Sequence, residues 1–242
     1  MDIIVVEHRD MPVPDRGQRH LAEKGFNVRL AAPFRGDVLP VLDDNTAGVL
    51  IMGGPQYVTD LDDFPYLRDE MDFAGRVMDR NLPLLGICLG GQIIAAHMNA
   101  KVDDHPEAHA AFGYYPLRPT EAGRQIFPKD LCVPAGNTQG FDLPMGATLL
   151  AEGAVFPNQA FRVGERTYGL QFHPELTRPI LDLWQEVLAE NYGRPGAQSR
   201  ELQDAGYTEH NDTLHEWYIG FLDRFFGTAK ALERTETGSA LR

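Results

Sequence analysis

The chain has 242 residues, 43% of them hydrophobic and 24% charged, which suits one large soluble α/β domain with a substantial core. A formal net charge of −13, from 22 basic and 35 acidic residues, argues against binding nucleic acid through a general basic surface or docking on anionic lipid. Two cysteines cannot build a disulfide framework, and no apolar run approaches the length of a membrane span. Met1 leads directly into an apolar strand with no leader-type segment, so the cytoplasm is the expected location.

Ile3 to Glu7 reads as the first strand, followed by a helix from Asp15 to Lys24 that Gly25 closes. Asn27 to Ala32 is the second strand, and a loop with Pro33 and Pro40 follows. Ala47 to Met52 is the third strand and feeds Gly53-Gly54-Pro55. Phe64 to Arg80 places Leu67, Met71, Ala74, Val77 and Met78 at helical spacing. Leu82 to Ile87 reads as a buried central strand. Gln92 to Met98 reads as a helix ending at Asn99, a residue tolerant of the left-handed cap conformation. This alternation predicts a largely parallel sheet with helices on both faces.

From Lys101 onwards prolines and glycines separate short strand-like runs: Gly113–Leu117, Leu131–Val133, Ala147–Ala151, Gln159–Val163 and Thr167–Phe172. They predict an antiparallel or mixed extension of the same sheet. Ile180–Tyr192 and Thr213–Phe226 read as helices, with a polar, partly helical stretch over 193–212 between them. Residues 228–242 lack apolar periodicity and read as a flexible tail, leaving 1–227 as a single domain.

The stretch with most chemical content is Leu84-Leu85-Gly86-Ile87-Cys88-Leu89-Gly90-Gly91-Gln92. Strand, Gly-x-Cys-x-Gly, helix is the layout of a nucleophile elbow, in which glycines keep side chains away from a nucleophile on a strained turn. The helix that starts there points free N–H groups at the sulfur and favours the reactive thiolate. Such a nucleophile needs a histidine, and the histidine an orienting acid. Tyr168-Gly169-Leu170-Gln171-Phe172-His173-Pro174-Glu175 supplies both. Gly54, Cys88 and His173 each follow a strand, so their loops converge beyond the carboxyl edge of the sheet, where open α/β sheets bind ligands.

Gly-Ile-Cys-Leu-Gly-Gly-Gln, Gly-Leu-Gln-Phe-His-Pro-Glu and Met52-Gly53-Gly54-Pro55 together resemble the class I glutamine amidotransferase family, in particular stand-alone proteins similar to the amidotransferase domain of GMP synthase. The resemblance implies a three-layer, flavodoxin-like α/β fold, mostly parallel with a mixed or antiparallel extension. It assigns Cys88 as nucleophile, His173 as base and Glu175 as the orienting acid. Backbone N–H groups of Gly54 and Leu89 form the oxyanion hole in this assignment. Gln92 matches a residue that contacts the substrate, and Gly53, Tyr57, Asn137, Thr138 and Gln139 are expected in the substrate pocket.

The implied reaction is cleavage of a γ-glutamyl amide, glutamine or an N-substituted relative, through a γ-glutamyl thioester. No cofactor is implied, and no Gly-x-x-x-x-Gly-Lys phosphate loop is present in the sequence. Two other roles stay open: a glutaminase subunit feeding ammonia to a separate synthetase, and a catalytically silent binding protein on the same fold. The sequence departs from the family pattern at Gly136-Asn137-Thr138-Gln139-Gly140, where a His-Gly-Asp type motif is usual, at Ala111 in place of Glu, and at Tyr57 in place of a small residue. These spare the triad and bear on the substrate; Tyr57 is placed to stack on a leaving amine larger than ammonia.

Asp103-Asp104-His105-Pro106-Glu107-Ala108-His109 has metal-ligand residue types, but Pro106 disfavours an i,i+4 histidine pair and a solvated loop is expected. His8, His97, His210 and His215 read as packing or surface residues. Cys132, within Leu131-Cys132-Val133, reads as strand core.

Overall fold

The computed structural model describes residues 1–10 and 15–229. Most of the expected tail, residues 230–242, therefore lies outside the described residues. In chain order the first half runs β1 (Asp2–Val6), α1 (Arg16–Glu23), β2 (Asn27–Ala31), β3 (Thr46–Ile51), α2 (Tyr66–Asp79), β4 (Leu84–Ile87) and α3 (Leu89–His97). The second half runs β5 (Val102–Asp104), β6 (Ala111–Pro116), β7 (Arg118–Pro119), β8 (Cys132–Asn137), β9 (Gln139–Phe141), β10 (Thr148–Glu152), β11 (Asn158–Val163), β12 (Thr167–Leu170), α4 (Arg178–Val187) and α5 (Arg200–Phe226).

The main sheet has eight strands in the order β2-β1-β3-β4-β12-β11-β10-β7. From β2 to β12 the pairs are parallel; beyond β12 they are antiparallel. Side chains alternate across the central strands with the period of two that a pleated strand imposes. Ile3 and Val5 pack with Leu21 of α1 and with Trp217, Tyr218 and Leu222 of α5. Ile4 and Val6 pack on the other face with Phe73 of α2 and Ile93 and Ile94 of α3. Both faces are dry, which is why these strands read as continuous apolar runs.

Two expectations need correction. The runs at 113–117 and 131–133 do not extend the main sheet: β6 and β8 pair with each other as a separate antiparallel ribbon, and β5 with β9 as another. The first ribbon is diverted because Phe112, Tyr114 and Cys132 bury against Leu176, Ile180, Leu181 and Trp184, an apolar surface that the sheet edge does not offer. The polar stretch 200–212 and the helix after it form one 27-residue helix, α5, capped by Ser199. Its polar first half is helical because Gln203 and Gly206 are buried, with Gly206 tight against the Tyr114 side chain of β6. At the other C-terminal helix, α4 stops at Val187 and a single 3-10 turn, Ala189–Asn191, completes the expected span.

Candidate active site

Cys88 occupies the turn between β4 and α3 at φ 51° and ψ −106°, a conformation that costs a non-glycine residue and persists only where its surroundings enforce it. Here the enforcement is by hydrogen bonds and glycines. The Cys88 N–H donates to the Leu170 carbonyl of β12 at 2.7 Å, and the Cys88 carbonyl accepts from Gln92 N–H at 2.9 Å. A Cβ at Gly90 would lie 2.0 Å from the Ile51 carbonyl oxygen, and one at Gly91 2.7 Å from that of Leu170. Only hydrogen side chains let α3 start this close to β3 and β12. Leu89 heads the helix, so its N–H has no intrahelical acceptor.

His173 follows β12. Its N–H donates to the Pro134 carbonyl of β8 at 2.9 Å, so the separate ribbon anchors the histidine. The imidazole Nδ1 meets Glu175 Oε1 at 2.7 Å, and the ring packs edge-on against Trp184 with centroids 4.5 Å apart. Burial works against the imidazolium, yet the charges of Glu175 and Cys88 and the hydrogen bond to Glu175 outweigh it and push His173 up to about 10. Gly53 closes the arrangement: a Cβ there would meet His173 Cε1 at 2.6 Å and Cys88 Cβ at 3.4 Å.

These groups open into a cavity of about 260 Å³ lined by residues from six loops, among them Gly54, Tyr57, Gln92, Asn137, Thr138 and Gln139. The cavity thus brings together Gly53, Gly54, Tyr57, Cys88, Gln92, the 137–139 segment, His173 and Glu175, with Leu89 next to Cys88 in sequence but not in the lining. Gln92 Nε2 donates to the Gln139 carbonyl at 2.9 Å, and Asn137 Nδ2 to the same oxygen at 2.9 Å. The Thr138 hydroxyl reaches the Tyr57 hydroxyl at 3.3 Å, which ties Tyr57 to the wall formed by the 137–139 segment.

Comparison with known proteins shows which family the chain joins. The glutamine amidotransferase class-I family model matches residues 18–180, well over half of the chain. The chain belongs to the class I glutamine amidotransferase family. It is 29% identical over 205 residues to the glutamine amidotransferase-like protein YfeJ of Salmonella typhimurium, covering 79% of this chain and 85% of that one. It is 30% identical over 165 residues to the glutamine-hydrolyzing GMP synthase of Helicobacter pylori, covering 66% of this chain but only 30% of the synthase. Among solved structures, glutamine amidotransferases from Methylobacillus flagellatus and Thermotoga maritima superpose with TM-scores of 0.82 and 0.80 over 94% of this chain, 95% and 98% of theirs, at 24% and 23% identity.

Several residues in and around the cavity escape a reading of the sequence. Gln171 is fully buried, and its Nε2 lies 3.6 Å from the Cys88 sulfur while its Oε1 accepts from Gln92 at 3.3 Å. It sits inside the quoted His173 motif, which is the signal that could have singled it out. Glu7, Arg9, Asp15, Trp184 and Glu190 also line the cavity; Glu7 and Arg9 follow β1 at the carboxyl edge, the only hint available. Cys132 is buried in β8, where desolvation raises its thiol to about 11, an unreactive setting. His8 forms a buried pair with Glu70 at 2.6 Å. His105 and His109 stack at 4.2 Å, and no group of three potential ligands suited to a metal ion occurs among the described residues.

Proposed function

We propose that this protein hydrolyses γ-glutamyl amides with a Cys88-His173-Glu175 triad. The observation that carries the reading is Gly53, against which both Cys88 and His173 are packed, at the floor of the one cavity that also holds Gln92 and the 137–139 segment. The Cys88 thiolate attacks the γ-carbonyl carbon, and the oxyanion is received by the N–H groups of Gly54 and Leu89; one such donor is typically worth ~3 kcal/mol. His173, held as imidazolium by Glu175, gives its proton to the departing nitrogen. Water then attacks the thioester, His173 accepts a proton, and glutamate leaves with the thiol restored.

The amino-acid end of the substrate is assigned to the Gln92 wall. Asn137 Oδ1 and Gln139 Oε1 are buried there without a hydrogen-bond partner among the described residues, and each is an acceptor for an α-ammonium group. Tyr57, through its link to Thr138, covers the same end in this assignment. No helix among the described residues is long and apolar enough to cross a membrane, and we place the reaction in the cytoplasm with a small-molecule substrate and no cofactor.

The match to GMP synthases favours a second reading, a glutaminase subunit that hands ammonia to a synthetase encoded separately. Glutamate release by the isolated protein from glutamine and from a panel of N-substituted γ-glutamyl amides separates the two. The hydrolase reading expects full activity alone and on substituted amides. Turnover of glutamine only, weak until a synthetase is added, supports the subunit. No turnover and no reaction at Cys88 defeats both.

A further inference from the structure

The sheet divides the cavity into two unlike walls. On the side of α3 the lining is Gln92, Asn137, Thr138, Gln139 and Tyr57, all uncharged. The rest of the charged lining beyond the triad is mainly acidic: Glu7 after β1, Asp15 at the head of α1, and Glu190 after α4. Arg9, whose guanidinium lies 5.7 Å from the Trp184 ring centroid, is the one Arg or Lys among the described lining residues. Three carboxylates outside the triad and one guanidinium thus line the cavity.

The fold uses the carboxylates of Asp15 and Glu7 only in part. Asp15 is only 2% exposed. One of its oxygens caps α1, accepting from Gly17 N–H at 2.6 Å and Gln18 N–H at 3.0 Å. The other, Oδ2, is buried without a hydrogen-bond partner among the described residues, as is Glu175 Oε2. Glu7 accepts a side-chain hydrogen bond from Gln18. Buried acceptors left open are costly unless something fills them. Burial, followed by the charge of Glu175, lifts Asp15 to about 7, and burial also raises Glu7. Both shifts come first from burial of the carboxyl.

The departing amine is assigned to this side because the amino-acid end takes the uncharged wall in the reading above, and Glu7, Asp15 and Glu190 are the remaining charged acceptors of the same cavity. We propose that the Glu7-Asp15-Glu190 wall is a leaving-amine subsite for a second, protonated nitrogen, so that the favoured substrates are γ-glutamyl amides of diamines or polyamines. An ammonium offers three donors to the open oxygens, and its hydrogen bonds to carboxylates are charge-assisted. The inference rests on the γ-glutamyl amide reading above. In the reaction the C–S bond forms as the C–N bond breaks, the amine leaves with the His173 proton, and water then cleaves the thioester. No oxidant or reductant is involved.

The test compares three γ-glutamyl amides of nearly equal shape: aminobutyl (cationic), pentyl (neutral) and carboxypropyl (anionic). The purified protein should cleave the cationic amide with kcat/KM at least ~10-fold above the neutral one, the scale of one charge-assisted hydrogen bond, and the anionic one worst. Glu7→Gln and Glu190→Gln should each narrow the cationic-to-neutral ratio several-fold; because the readout is a ratio, a general loss of activity cancels. Equal or reversed preference in the wild type, or a ratio that neither variant moves, overturns the subsite and leaves γ-glutamyl amide hydrolysis standing. Failure to cleave any of the three, or glutamine, overturns both.

Discussion

Gly53→Ala offers a quantitative probe of the site, because the new atom would touch the machinery and little else. An added Cβ would sit 2.6 Å from His173 Cε1, 3.3 Å from its Nδ1 and 3.4 Å from Cys88 Cβ. Ordinary contact begins near 3.4 Å, so the imidazole has to retreat by roughly 0.8 Å or β3 has to give. The ring cannot simply rotate away, since Glu175 holds Nδ1 at 2.7 Å and Trp184 packs its edge at 4.5 Å. A misplacement near 1 Å costs ~10²-fold in rate, whereas one extra methyl in a packed site costs ~1–3 kcal/mol of stability. The variant should therefore stay folded, lower kcat by about two orders of magnitude and leave KM within a few-fold. Steady-state kinetics beside a thermal melt measure both quantities. Activity within a few-fold of wild type, in a protein that melts normally, would refute the idea that His173 must sit where the structure places it.

His173→Ala should abolish nearly all turnover, and Glu175→Gln should reduce it less, because members of one catalytic unit are non-additive and the orienting acid usually matters least; the reverse order in kcat would mean the roles are misassigned. Asp15 titrates near 7 in the folded protein, against an ordinary value of 3.8, because of burial and the charge of Glu175. A raised carboxyl favours folding below 3.8, and that contribution fades as pH climbs through 7. Asp15→Asn keeps a good helix cap, so its melting temperature relative to wild type should rise between pH 4 and pH 8, by the equivalent of a few kcal/mol at about 1.4 per pKa unit; a pH-independent difference contradicts the buried-carboxylate account. Tyr57→Ala should raise KM several-fold for every γ-glutamyl substrate alike, since the Tyr57 hydroxyl is tied to Thr138. A change in the ratio between glutamine and substituted amides would instead put the ring beside the leaving amine.

The elbow was legible because its determinants are local. Gly86, Cys88, Gly90 and Gly91 fall within six residues, and the positive φ of Cys88 and of Asn99 is what that spacing and that cap residue lead one to expect. The parallel half of the sheet was equally readable, since strands buried on both faces print as apolar runs. Pairing between distant segments was not. Nothing local says that Ala111–Pro116 should join Cys132–Asn137 instead of the sheet edge; the choice is made by the apolar surface of α4, which arrives some forty residues later. The polar half of α5 was hidden for the same reason, its helicity resting on tertiary contact of Gly206 with Tyr114. The acidic wall was invisible because Glu7, Asp15 and Glu190 look like any polar residue at an element's end until the fold brings them together.

Cys88 as the nucleophile of a γ-glutamyl thioester is tested most directly by the mass of the modified protein. Incubation with a glutamine-mimicking chloroketone, followed by peptide mapping, should place a single adduct on the peptide that carries Cys88 and leave Cys132, whose thiol is raised to about 11 by burial, unmodified. Cys88→Ala should take up no label and turn over no substrate while melting normally. Equal labelling of Cys88 and Cys132, or undiminished hydrolysis by Cys88→Ala, would contradict it.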